Sequence, residues 1–245
     1  MKAIILAAGY ATRLYPLTKN MPKPLLEVAG KTILDFIVEK IDRVSEVDEI
    51  IIVTNDKFSG HFSEWNETSN YSKKITVVND GTLTNETRLG AIGDIQYVIE
   101  TLDVDDDLMI LAGDNLFDFE LTDFVRYFNE VGTDCITSYI EENEAQVKRA
   151  GVVELDGKQR VLSFEEKPTE PRSNYCVPAF YLYKKETLPL FQEYLTEGNN
   201  PDAPGHFVPY LINKQTVHAF LFEGKRYDIG TVESYQAVKD IFENR

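Results

Sequence analysis

Two basic side chains set in a run of small ones are the first chemistry this chain offers. The run Leu6-Ala-Ala-Gly-Tyr-Ala-Thr-Arg-Leu-Tyr-Pro-Leu-Thr18 is followed by Pro22-Lys-Pro-Leu-Leu26. It begins where a short apolar stretch ends, the place a ligand takes in an open α/β sheet. Ala8, Gly9 and Ala11 are small enough for backbone N–H groups to approach a phosphate chain. Arg13 offers a fork of donors for phosphate oxygens, and Lys23 a compact positive charge. A small-residue turn after a strand also has a purely structural reading, and the run fits neither G-x-x-x-x-G-K-[ST] nor G-x-G-x-x-G. Asp114 follows a second apolar run, where a carboxylate could share Mg2+ with phosphate oxygens. Gly113-Asp114-Asn115 is also good turn chemistry, and Asp228 can simply lead into a helix capped at Thr231. Glu165-Glu166-Lys167-Pro168 reads as a solvated strand end stopped by proline. His61, His206 and His218 show no ligand spacing, and no G-x-S-x-G elbow supports a hydrolase.

The elements that must position these groups alternate through the first half. Ala3–Ala8 is an all-apolar run, as a buried parallel strand requires, and Glu49–Thr54, Lys74–Val78 and Asp107–Ala112 repeat the pattern. Thr32-Ile-Leu-Asp35 predicts a capping box opening a helix whose buried face carries Ile33, Ile37, Ile41 and Val44. Further helices are expected over Phe58 to Trp65 and from about Leu89. The second half is more mixed. A helix is expected over Leu121 to Val131 and a strand over Cys135 to Tyr139. Gly151–Leu155 and Val161–Phe164 flank Asp156-Gly157, a hairpin signal. Asn174 to Tyr183 and Val217–Phe222 read as extended. Leu188–Leu195, Phe207–Asn213 and a segment after Thr231 read as helices. The fold class predicted is α/β: a Rossmann-like, doubly wound, mainly parallel sheet with an antiparallel insertion in the second half.

Composition narrows the partners. At 43% hydrophobic and 27% charged the chain is typical of globular proteins. No apolar run approaches the ~18 residues of a membrane helix. The apolar stretch Ala3–Ala8 is too short for a secretory leader, so a cytoplasmic protein is expected. Cys135 and Cys176 lie too far apart for a metal knuckle or redox pair. The net charge of −16 argues against nucleic acid, which needs a basic face, and disfavours anionic membranes. Residues 1–40, however, hold six Lys or Arg against three acids, which leaves +3 there and −19 in the rest. A positive pocket in an acidic body suits a small anion.

Taken together, the motifs resemble the sugar-1-phosphate nucleotidyltransferases, also called nucleotide-sugar pyrophosphorylases. Their pattern is a strand, then G-G-x-G-T-R-L-x-P-x-T, then P-K-P-L. Gly9, Thr12, Arg13, Leu14, Pro16, Thr18, Pro22, Lys23, Pro24 and Leu25 fit it. The resemblance continues through Ala112-Gly-Asp114, Gly151-Val-Val, Glu165-Glu-Lys-Pro168, Ser173-Asn-Tyr175 and Tyr227-Asp-Ile-Gly230. It is strongest to short glucose-1-phosphate thymidylyl- and uridylyltransferases. It implies one domain over 1–245, with a nucleotide-binding half of about 1–112 and a sugar-phosphate half of about 113–245. It also implies an NTP and a sugar 1-phosphate as partners, a glucose 1-phosphate with dTTP or UTP, and Mg2+ held by Asp114 and Asp228. A homo-oligomer is compatible with it.

By the same resemblance Ala8, Gly9, Thr12, Arg13 and Lys23 take the nucleotide phosphates, and Asn85 and Gly90 read the base at close approach. Glu166 accepts from sugar hydroxyls, Lys167 binds the sugar's phosphate, and Val177 and Tyr181 wall the sugar pocket. Arg13, Lys23, Asp114 and Lys167 form the implied catalytic set. Asn85 is also readable as a helix-start loop, and Tyr181 as a strand core residue. Two departures stand out. Ala11 puts a methyl where the backbone should pass close to phosphates, and Tyr10 is bulky for the loop tip. The resemblance is to short members of the family, so regulation through a C-terminal β-helix is not expected. Three other functions compete: a phosphocholine cytidylyltransferase with an aromatic box from Tyr175, Phe180 and Tyr181, a catalytically silent nucleotide-sugar sensor, and a purely structural α/β protein.

Overall fold

Thr32 shows how local sequence sets the architecture. Its Oγ1 accepts from the Asp35 N–H at 3.0 Å while its own N–H donates to Asp35 Oδ2 at 2.8 Å, and the helix Ile33–Asp42 starts there. That helix buries Ile33, Leu34, Ile37, Val38 and Ile41 on one face. Asp35 Oδ1 accepts in addition from Trp65 Nε1 at 2.9 Å and Tyr71 Oη at 2.8 Å, which ties in the helix Ser59–Thr68. The computed structural model describes residues 1–244. They form two compact units, the first built from Met1–Leu89, Ala112–Leu121 and Gly224–Arg245, the second from Gly90–Leu111 and Thr122–Glu223.

In the first unit the strands Lys2–Leu6, Glu49–Thr54 and Lys74–Asn79 run parallel in that order, with Lys2 opposite Glu49 and Glu49 opposite Lys74. The runs Ala3–Ile5 and Ile50–Val53 are buried, as strands covered on both faces must be, whereas in Lys74–Asn79 only Val78 is buried and Ile75 and Val77 are half-buried. A short antiparallel pair, Asn115–Phe117 with Arg226–Asp228, lies apart from these, and it sets Asp228 across from Asn115. The helix Val232–Glu243 follows, capped by Thr231 as its sequence predicts. Its Phe242 ring packs edge-on against Phe36 and Tyr227.

The second unit is mostly antiparallel. Asp134–Ile140 pairs with Phe180–Tyr183 and Tyr175–Val177, and it takes Val217–Leu221 as a parallel neighbour. Gly151–Leu155 and Val161–Glu166 form the expected hairpin, and Phe180–Tyr183 pairs outward with Leu108–Ala112. The extended stretch expected over Asn174 to Tyr183 is broken in two. Pro178 has no N–H for a ladder, and its carbonyl accepts from Phe180 N at 2.8 Å in a tight turn. The helices Ala91–Thr101, Leu121–Val131, Leu188–Thr196 and Phe207–Ile212 appear where periodicity placed them. Phe191 and Phe207 stack at 4.2 Å beside Tyr183 to fill the core. Among the described residues no helix is long and apolar enough to cross a membrane.

Candidate active site

The loop after Lys2–Leu6 opens a cavity of about 230 Å³ in the first unit. Gly9, Ala11, Arg13, Lys23, Asp114 and Gly230 are among its lining residues. Lys23 sits in a 3-10 turn, Lys23–Leu25, with its side chain only 8% exposed. A buried ammonium needs a partner, and Asp114 Oδ2 supplies it at 2.7 Å. The other Asp114 oxygen accepts from Asn115 Nδ2 at 2.9 Å. Arg13 is exposed on the cavity, and no carboxylate pairs with it among the described residues. The arrangement therefore presents one uncommitted guanidinium beside a committed lysine, which suits a ligand carrying several negative charges.

Ala11 adopts the left-handed conformation, φ 46° and ψ 43°. A glycine is the ordinary residue there, so the position asks for glycine because of its backbone angle. Its carbonyl is pinned by Thr18 Oγ1 at 2.7 Å and Leu14 N at 3.0 Å. The expected crowding by Tyr10 does not arise. Its side chain turns inward, 6% exposed, beside the Phe58 ring, and its hydroxyl donates to the Thr82 carbonyl at 3.1 Å. Ala8 is buried, and Asn55 Nδ2 donates to its carbonyl at 2.8 Å. Thr12 lies exposed at the start of the Thr12–Leu14 turn.

The short strand pair sets Asp228 beside Gly230, which lines the cavity, while Asp228 itself is not among the lining residues. It stands opposite Asn115, one residue from Asp114, and its Oδ2 lies 3.7 Å from where a Gly230 side chain would begin. Arg226 Nη2 approaches that oxygen at 3.4 Å, while Arg226 Nε donates to Asn115 Oδ1 at 3.0 Å. Sequence reasoning missed Asn115 and Arg226. The alternation Arg226-Tyr-Asp228, a strand's period of two, was the signal available. The donor set fits Mg2+. Asp228 is 61% exposed, and Asp114 keeps lone pairs beyond the two engaged by Lys23 and Asn115. Among the described residues no three His, Cys, Asp or Glu side chains form a metal cluster. A cation held here would complete its shell with substrate oxygens and water, as Mg2+ commonly does.

The second unit holds the residues implied for the sugar phosphate. Glu166 ends the strand Val161–Glu166, and Lys167 follows with φ 50°. A left-handed lysine directly before a proline is strained, and such strain collects at functional sites. Its N–H is held by the Ala150 carbonyl at 3.0 Å, and its Nζ lies 3.5 Å from Glu166 Oε1. Val177 and Tyr181 are buried, with Tyr181 2% exposed and stacked on Tyr183 at 5.8 Å. Of the two readings of Tyr181, burial supports the strand core. Phe180 is likewise fully buried, so these two rings offer no box to a quaternary ammonium.

At Gly90, expected to permit close approach to the base, the structure shows a close neighbour of its own. Gly90 has φ 81°, and a side chain there would stand 2.6 Å from the Pro201 carbonyl oxygen. Protein backbone approaches closely here: Pro201 and Asp202 carbonyls accept from Ile92 and Ala91 N–H at the start of Ala91–Thr101. In the first unit, Asn85 begins a 3-10 turn, part-exposed.

Comparison with known proteins decides the affiliation. Residues 2–245 match the nucleotidyl transferase family. The chain belongs to that family. Among curated nucleotidyl transferases it is 30% identical to the UTP–glucose-1-phosphate uridylyltransferase of Synechocystis sp., covering 98% of this chain and 63% of the relative. It is 27% identical to the glucose-1-phosphate adenylyltransferase of Fervidobacterium nodosum, covering 95% and 59%. A solved UDP-glucose pyrophosphorylase complexed with UDP-glucose superposes with a TM-score of 0.82 at 20% identity, over 99% of this chain and 98% of that one, and so shares the fold. The chain spans between half and two thirds of the length of the first curated relatives it matches.

Proposed function

We propose that this nucleotidyl transferase joins an NTP to a sugar 1-phosphate, giving an NDP-sugar and pyrophosphate. The observation that carries the proposal is the unpaired Arg13 beside the Lys23–Asp114 pair in a loop-lined cavity. A sugar-phosphate oxygen attacks the α-phosphorus, and the bond to pyrophosphate breaks on the opposite side. That oxygen is already ionised at neutral pH, so no general base is needed. Catalysis reduces to alignment and charge neutralisation.

In this proposal Arg13 steadies the departing pyrophosphate, Lys23 the α-phosphate region, and Lys167 the sugar's phosphate. Ala8, Gly9 and Thr12 lie in the loop that faces the phosphates. Lys23 must exchange its Asp114 contact for phosphate oxygens. Asp114 and Asp228 are the residues that would hold Mg2+, which supplies neutralising charge when bound. An acidic chain of net charge −16 makes that supply necessary for two anionic substrates.

For the finer choice we propose glucose 1-phosphate with dTTP or UTP. The relative named for UTP and glucose 1-phosphate supports it, and part-exposed Asn85 could serve as the base reader. The relative named as an adenylyltransferase makes ATP the competing outcome. Pyrophosphate release measured across five nucleotides and a panel of acceptor phosphates tests both levels. Release that requires both an NTP and a sugar 1-phosphate is expected. Release with no sugar phosphate dependence would refute the reaction, and preference for ATP, CTP or GTP would refute only the base.

A further inference from the structure

In the second unit a phenylalanine ring edge is wedged between two glycines, with a carboxylate oxygen beside both. Gly151 begins the strand Gly151–Leu155 and is the register partner of Glu166. Gly205 lies in the separate turn Pro204–His206. A side chain at Gly151 would begin 2.6 Å from Phe164 Cζ and 3.3 Å from Glu166 Oε2. One at Gly205 would begin 2.8 Å from Phe164 Cζ and 3.0 Å from the same Oε2. Both distances to the ring are shorter than real contacts between non-bonded carbons, which are optimal near 3.5–4.0 Å. The cradle therefore exists only because both positions lack a Cβ.

The two Glu166 oxygens are treated differently by their surroundings. Oε1 has Lys167 Nζ at 3.5 Å. Oε2 faces the two glycines, has no hydrogen-bond partner among the described residues, and belongs to a side chain 24% exposed. It is an acceptor left available, held in place by a buried ring on one side and bare backbone on two others. A ligand hydroxyl can donate to it, and a methyl at position 205 would press on it.

We propose that Gly205 is a specificity-determining positioning residue: it keeps Glu166 Oε2 open and aimed so that one hydroxyl of the sugar phosphate is read. The proposal rests on Glu166 being the sugar's acceptor, and it adds a residue from a turn some forty positions downstream. Gly205 touches no reacting atom and acts through Glu166.

The test is steady-state kinetics on full-length wild type, Glu166→Gln, Gly205→Ala, Phe164→Leu and Phe164→Leu/Gly205→Ala. The acceptors are the preferred sugar 1-phosphate and its single-deoxy analogues. Gly205→Ala is expected to raise KM for the sugar phosphate about tenfold or more, the scale of one hydrogen bond to a charged group, with KM for the NTP unchanged. That penalty should vanish for the one deoxy analogue that also makes Glu166→Gln harmless. Phe164→Leu removes Cζ, so the double variant relieves the ring clash and keeps the 3.0 Å contact with Oε2. It should fold and still show a sugar-phosphate KM raised above that of Phe164→Leu alone, which serves as its reference. Equal penalties for every deoxy analogue, or a double variant with the same KM as Phe164→Leu, would overturn the role of Gly205. Should Glu166→Gln itself leave sugar-phosphate KM unchanged, the reading of Glu166 fails, and the role of Gly205 fails with it.

Discussion

Lys23 and Arg13 differ in what the fold asks of them, and that difference makes separate predictions. Arg13 is exposed and unpaired, so Arg13→Ala should leave stability within about 0.5 kcal/mol. Lys23→Ala frees Asp114, which is 41% exposed and can be hydrated, so the fold should persist there too. Both are expected to lower turnover by orders of magnitude with nucleotide saturating; wild-type turnover in either removes the loop from the mechanism. The reverse substitution is less forgiving. Asp114→Ala strands a lysine side chain that is only 8% exposed, and a loss of about 1–3 kcal/mol is expected by urea unfolding. Asp228→Ala, at a side chain 61% exposed, should cost little stability and still reduce activity. Equal stability losses in the two would mean that Lys23 does not depend on Asp114.

Backbone angle is the strongest constraint on the loop at residues 7–14. Ala11 at φ 46° carries a Cβ in a conformation that disfavours one by roughly 1–2 kcal/mol. Ala11→Gly relieves it, partly offset by the extra freedom of glycine in the unfolded chain. A gain of up to about 1 kcal/mol is expected in thermal unfolding, and a clear loss would show that the Ala11 methyl packs favourably. Much of this loop and its neighbours was legible beforehand. The parallel strands, the Thr32 and Thr231 caps and the Asp156-Gly157 hairpin follow from apolar runs, cap chemistry and turn chemistry. Those signals are local. The pairing of Asn115–Phe117 with Arg226–Asp228 joins three-residue strands more than a hundred positions apart, and such short runs carry no periodicity to detect. Tyr10 was misjudged for a related reason: its direction is set by Thr82 and Phe58, which sequence spacing does not bring near. Gly90 was legible as a close approach, but its partner at Pro201 was not.

Charge across the whole chain shapes both stability and reaction. Asp134 is 2% exposed, and burial pushes its carboxyl up to about 6 despite hydrogen bonds from Lys184 N, Thr187 Oγ1 and Gln215 Nε2. An unfolded aspartate loses its proton near 3.8. Between those values the folded state holds the extra proton, so this group's contribution falls as pH rises from about 4 to about 6. Comparing unfolding free energies of wild type and Asp134→Asn across that window should show a wild-type decline absent from the variant, on the order of 2–3 kcal/mol. Parallel profiles would mean Asp134 is ionised without penalty.

The proposed reaction is defined by which phosphorus is attacked and by what. The direct measurement is the fate of label when NTP carrying 32P at the α-position is incubated with enzyme, Mg2+ and sugar 1-phosphate. All label converted should appear in an NDP-sugar, none in pyrophosphate, and conversion should stop without the sugar phosphate or in the presence of a chelator. Label accumulating in NMP or NDP, with or without the sugar phosphate, would contradict the proposed transfer.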